Sequence, residues 1–141
     1  MSSLSYSSFQ QPAVGEIIDI FILRSELHKG ALATLFLAED LLSGQQVVLK
    51  IPCGDILNNP ILLYHYQNEE RISRLLDHPG IIRFIHRERS RQYIIMEYVL
   101  GQDLRSRVGK GRRLELNAAL NLMAQLCSAI SYLHSQSVVH L

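Results

Sequence analysis

Lys50 closes the run Val47-Val48-Leu49-Lys50, whose β-branched and apolar residues predict a strand. Strand alternation puts Lys50 on the face of Val48, opposite Val47 and Leu49. An inward lysine needs an anion beside it. A strand-end lysine can equally lay its stem over apolar neighbours and keep its ammonium in water. Further on, Tyr66, Glu69, Ile72 and Leu76 recur at spacings of three and four, so they share one helix face. Glu70 sits about 100° around that helix. Glu69 is therefore the expected partner of Lys50, and such a pair would aim an ammonium at a phosphate. The alternative is that both glutamates face solvent and only help solubility. Gly30, in Leu27-His28-Lys29-Gly30-Ala31-Leu32-Ala33-Thr34-Leu35, lets backbone approach a ligand closely, and free amides there could cradle phosphates. A plain hairpin turn explains the same glycine.

These residues need elements to hold them. Ile17–Leu27 reads as a strand, Thr34–Ala38 as a second, and Gln46–Ile51 as a third that ends at Pro52, with a turn at Ser43-Gly44. The order predicts an antiparallel meander. Asp55–Pro60 reads as a loop and Ile61–Leu76 as a helix stopped by His78-Pro79-Gly80. Ile81–Ile85 and Gln92–Tyr98 read as two further strands, and Asp103–Val108 as a short helix. Leu116–Gln136 is the strongest helical pattern. Leu116, Leu120, Met123, Cys127, Ile130 and His134 form one stripe that Ala119, Leu122, Leu126 and Leu133 widen, so deep packing is expected.

Bulk properties narrow the function classes. The 141 residues suit one modest domain, and 48% hydrophobic with 19% charged residues reads as globular. A net charge of +1 supplies no field to attract nucleic acid or an anionic membrane. The basic runs Arg83–Arg91 and Arg105–Arg113 are interrupted by apolar or acidic residues and read as solvated surface. No apolar run approaches the roughly 20 residues that cross a bilayer. Cys53 and Cys127 lack CxxC spacing, which predicts neither a disulfide framework nor a zinc site and suits a reducing, cytoplasmic setting. The six histidines show no HxxxH or HExxH spacing, so no metal site is expected. The Ser- and Gln-rich start is no signal peptide and reads as a disordered leader, residues 1–16.

Order makes the separate signals specific. Strand, small-residue loop, strand, lysine-bearing strand, glutamate-bearing helix and two more strands resemble the N-terminal lobe of protein kinases, most nearly bacterial Ser/Thr kinases. Gly30–Ala38 is similar to the glycine-rich loop and second strand of that family, and Val47–Lys50 to its V-A-I-K motif. Asn68–Ile82 is similar to the stretch with the helix glutamate, Ile94–Leu104 to the fifth strand and hinge, and Tyr132–His140 to the approach to the catalytic loop. The resemblance implies an α+β fold: a five-stranded antiparallel sheet with one helix over residues 17–97, then a hinge and the first helices of an incomplete helical lobe over 98–141. It implies that Lys50 contacts the α- and β-phosphates of ATP and pairs with Glu69. Gly30 and the amides near it would cover the phosphates, Leu27 would belong to the nucleotide-binding residues, and Leu35 and Val48 would cover the adenine. Met96 would close the back of the pocket. Glu97 and Val99 would offer backbone hydrogen bonds to the base, and Asp103 would lie near the ribose.

Two departures from the family carry consequences. His28 and Ala33 stand at two of the three glycine positions of the loop, and the Cβ and ring of His28 restrict that turn. His140 would open the catalytic loop, yet Leu141 follows where the family has arginine. The catalytic aspartate and the Mg2+ ligands would lie beyond residue 141. The expectation is an ATP-dependent protein kinase represented by a piece without activity of its own. The alternative is a pseudokinase-like module that regulates a partner, and small-molecule kinases with a similar lobe are a further rival. The protein substrate is not legible.

Overall fold

The computed structural model describes residues 10–109 and 111–139. Two compact units emerge, one from the chain up to Arg71 together with Phe84–Tyr98, the other from Ile72–Arg83 together with the chain from Val99 onward.

The first unit is built on an antiparallel sheet. Strands β1 (Ile17–Ile18), β2 (Phe21–Lys29), β3 (Ala33–Asp40), β4 (Gln46–Pro52), β5 (Phe84–Ile85) and β6 (Ile94–Glu97) lie in the order β1-β2-β3-β4-β6-β5. The sheet thus has six strands against the five expected. The sixth arises because the run from Ile17 breaks: Asp19 takes a left-handed φ of 53° and folds β1 back on β2. Asp40 makes the next reversal. Its Oδ1 accepts the Leu42 and Ser43 amides at 2.9 and 3.3 Å, and Gly44 supplies the positive φ of 70°. The β2–β3 ladder skips Arg24 and Leu27, so β2 carries two bulges and β3 none.

Each face of the sheet has its own core. Phe21, Leu23, Phe36, Ala38, Val47, Leu49, Ile51, Tyr93 and Ile95 fill one side. Ala33, Val48, Ile56, Tyr66, Ile94 and Met96 fill the other. With both faces covered, β4 is apolar almost throughout, as its sequence shows. The loop expected at Asp55–Pro60 contains a short helix, α1 (Gly54–Leu57), which buries Ile56. Helix α2 (Pro60–Ser73) follows. Asn59 Oδ1 caps it by accepting the Ile61 and Leu62 amides at 3.0 and 3.2 Å, and Pro60 occupies the first turn, where its missing N–H costs nothing. The regular helix stops at Ser73, and tighter turn bonds carry the chain to Leu76.

The second unit holds α3 (Leu104–Val108) and α4 (Leu116–Ser135). Glu115 caps α4 by accepting the Asn117 and Ala118 amides at 3.0 and 3.1 Å. Ser137, at φ 59°, closes its C-terminal end, where the Val138 amide returns to the Leu133 carbonyl at 2.9 Å. The deep packing expected of α4 is not found among the described residues. Leu116 is 69% exposed, Leu120 58% and Met123 54%, and Ala129 alone is buried. The stripe is present, but no described element covers it.

By length and composition alone α4 is long and apolar enough to cross a membrane, which the sequence reading did not anticipate. Asn117, Asn121, Gln125, Ser128 and Tyr132 nevertheless run down one face. On that face the Ser128 hydroxyl meets His78 Nε2 at 3.2 Å, and Tyr132 accepts the Asp77 amide at 2.8 Å. A helix with a working polar face is amphipathic rather than uniformly apolar.

Candidate functional site

Lys50 stands on the Val48 face of β4, between Leu35 of β3 and Ile94 of β6. Its ammonium reaches Glu69 Oε2 at 2.5 Å. The lysine side chain is 23% exposed and the glutamate 41%. An ion pair this open to water contributes about 1 kcal/mol or less to stability. Its placement therefore argues for presenting charge to a ligand. One Lys50 N–H is committed to Glu69, which leaves others for phosphate oxygens.

The space in front of the pair is a cleft of about 450 Å³ lined by Lys50, Glu69, Met96, Leu35, His28 and the loop residues Gly30–Ala33. Gly30 donates its amide to the Ala33 carbonyl at 3.0 Å. A Cβ at Gly30 would sit 3.1 Å from that same oxygen and 3.6 Å from His28 Nε2, so the tight turn favours glycine. His28, where the sequence departs from the glycine pattern, thus folds its ring beside the loop and into the cleft.

Other expected residues are placed as follows. Val48 is buried with Met96, and Leu35 packs against the same cluster. Glu97 ends β6 opposite Val47. Leu27 is a bulge residue, 44% exposed, and is not among the residues lining the cleft. Val99 and Asp103 belong to the second unit. Val99 is 63% exposed, and Asp103 caps α3 by accepting the Ser106 amide at 2.6 Å. That bond from the Ser106 amide holds the Asp103 carboxyl below its ordinary range. His140 lies outside the described residues. Among the described residues, no group of three or more His, Cys, Asp or Glu could hold a metal ion.

Three features of the surroundings were not anticipated from the sequence. Tyr66, one helical turn before Glu69, is buried and donates its hydroxyl to the Lys50 main-chain carbonyl at 2.6 Å. Burial drives its phenol well above the usual range, so it stays a neutral donor. Glu70 is not solvated: it is 12% exposed and meets the Arg89 guanidinium at 2.9 and 3.0 Å, with His86 Nδ1 at 3.7 Å. Arg89 also donates to the Tyr93 carbonyl and lies 5.7 Å over the Tyr93 ring. Tyr93 in turn donates to Asp19 at 2.5 Å. That hydrogen bond leads the influences that lower the Asp19 carboxyl, while burial leads those that raise the Tyr93 phenol. The helical stripe gave a signal for Tyr66; a Glu–Arg pair 19 residues apart gave none.

The sequence profile described as Protein kinase domain matches residues 21–141. Serine/threonine-protein kinase PrkC of Bacillus subtilis (strain 168) is 34% identical over 113 residues, 79% of this chain and 17% of that protein. CBL-interacting serine/threonine-protein kinase 19 of Arabidopsis thaliana is 34% identical over 116 residues, 81% of this chain and 24% of that protein. The chain therefore spans about a fifth of the length of these curated relatives. Among solved structures, Rad53 1-466 in complex with AMP-PNP superposes with a TM-score of 0.75 at 25% identity, covering 86% of this chain and 33% of that one. A mutant PknI kinase domain of Mycobacterium tuberculosis gives 0.74 at 19% identity, covering 93% of this chain and 55% of that one, a likeness of fold.

Proposed function

The chain belongs to the protein kinase family, and from that premise we propose that it is the nucleotide-binding part of an ATP-dependent serine/threonine kinase. Such a kinase transfers the γ-phosphoryl of ATP to protein hydroxyls. The observation that carries this reading is the Lys50–Glu69 pair at 2.5 Å, set at the wall of a cleft of about 450 Å³. Glu69 fixes the lysine stem so that the remaining ammonium protons meet the α- and β-phosphates, which lowers the entropy lost when ATP is held for transfer. Apolar Leu35 and Met96 line the cleft, with buried Val48 in the same cluster, and suit the face of an adenine. AMP-PNP in the Rad53 complex is an ATP-like ligand held by a protein of this fold, which supports the same ligand here.

Mg2+ would supply charge neutralisation of the phosphates, with ligands beyond Leu141. Cys53 and Cys127 are free thiols, which supports a cytoplasmic setting.

Titration of the chain with ATP tests the reading directly. Saturable binding that Lys50→Met weakens about tenfold or more is the expected result. Wild-type affinity in that variant would sink it. Phosphotransfer, assayed on the longest polypeptide the gene encodes, should vanish with the same substitution.

A second reading, a regulatory module without catalysis, is favoured by the His28 ring beside the loop. No ATP binding by the wild-type chain, combined with binding restored by His28→Gly, would select it.

A further inference from the structure

We propose that Tyr66 is a positioning residue that couples the docking of helix α2 to the presentation of Lys50. The inference rests on the ATP reading above. Tyr66 is 5% exposed, and its hydroxyl donates to the main-chain carbonyl of Lys50 itself at 2.6 Å. Across the β4–β6 ladder Lys50 is paired with Ile94. The hydroxyl thus joins helix to sheet at the last pair of that ladder, where Lys50 faces Ile94. The ring serves a second purpose: it lies 5.9 Å from the Lys50 ammonium, within the range of a cation–π contact.

Three attachments therefore converge on one residue. Glu69 holds the ammonium of Lys50, the Tyr66 ring lies beside that ammonium, and the Tyr66 hydroxyl holds the Lys50 backbone. Tyr66 and Glu69 are three apart on α2, so a shift of the helix moves both together. If α2 slides or turns, Lys50 loses its carboxylate and its backbone anchor in the same event. The backbone anchor matters because the side-chain pair is open to water and weak on its own. A buried hydrogen bond supplies the registration that the exposed ion pair lacks. Tyr66 is not among the residues that line the cleft, so its effect runs through Lys50.

The test is ATP affinity and melting temperature measured together on the chain and its variants. Tyr66→Phe keeps the ring and removes the hydroxyl. It should weaken ATP binding about 3- to 10-fold at temperatures well below its melting point. Combined with Glu69→Gln, its effect should be clearly less than multiplicative, because both act through Lys50. A purely structural tyrosine would lower the melting temperature and leave the affinity of the folded protein alone. Wild-type affinity in Tyr66→Phe, with Lys50→Met impaired, overturns this proposal and spares the ATP reading. Wild-type affinity in both variants overturns the two together. Should Tyr66→Phe fail to fold, hydrogen exchange on the wild-type chain answers. Saturating ATP should slow exchange at the α2 amides around Tyr66 if docking and lysine presentation are linked, by reciprocity. Unchanged exchange there overturns the coupling.

Discussion

Glu69 and Glu70 are neighbours on one helix with opposite fates. Glu69 is 41% exposed and bonds a single lysine at the edge of a cleft. Glu70 is 12% exposed and is locked to Arg89, which is itself held by Tyr93. One carboxylate is available to a ligand's counter-charge; the other is part of the framework. The more buried, better-satisfied pair is the less informative about function, because a desolvated pair is costly to break whatever its role, the partner left behind being an uncompensated buried charge. The more exposed pair sits where stability gains least from it, which is what the proposed role in binding would require.

Substitutions can break this contrast. The largest effect is expected for Lys50→Met, with phosphotransfer by the longest gene product reduced about 100-fold or more in a radiolabel assay, and with the melting temperature nearly unchanged. Next comes Arg89→Ala, which strands Glu70. It should cost about 3 kcal/mol in urea unfolding, yet leave ATP affinity of the folded protein within about threefold. Should Arg89→Ala instead abolish ATP binding at full folding, the division between framework and ligand charge fails.

A smaller effect belongs to acid. Asp19 and Asp40 both have carboxyls below their ordinary value of 3.8. For Asp19 the Tyr93 hydrogen bond leads. For Asp40 burial pushes upward but is outweighed by the Leu42 and Ser43 amides and by Arg87, 2.8 Å away. The unfolded chain therefore takes up protons before the native one. The stability these groups lend is complete above the unfolded value and is lost as pH falls below 3.8 through the folded values. Asp40→Asn should lower stability at neutral pH by about 1–2 kcal/mol and flatten the acid limb of a melting-temperature profile. An unaltered acid limb in the variant would contradict the assignment. The smallest effect is expected for Gly30→Ala, an affinity loss of about two- to threefold, since the Ala33 carbonyl need yield only a few tenths of an ångström.

Much of the site was legible because short-range periodicity governs it. The alternation along Val47–Lys50 and the spacing of Tyr66, Glu69 and Ile72 are properties of one strand and one helix, and both held. What escaped depends on distance along the chain. The Asp19–Tyr93 bond joins residues 74 apart, and no local pattern marks it. The left-handed turn at Asp19 looked like the middle of a β-prone run. For α4 the apolar stripe was read correctly as a stripe, but burial is a property of what lies opposite, which a helix's own sequence does not contain.

The bulged strand β2 has a consequence for how its length can vary. Paired residues share a face, so Ile22, opposite Glu39, and His28, opposite Leu35, point to the same side of the sheet. Each bulge inverts the alternation, and two restore it. With only one and no residue lost, everything from His28 onward would turn inside out, and the ring now in the cleft would face the other core. Length changes at the bulges should therefore be tolerated singly: losing Arg24 or Leu27 removes one bulge and leaves His28 opposite Leu35, whereas closing one bulge with its residue kept in the ladder reverses the roof over the cleft.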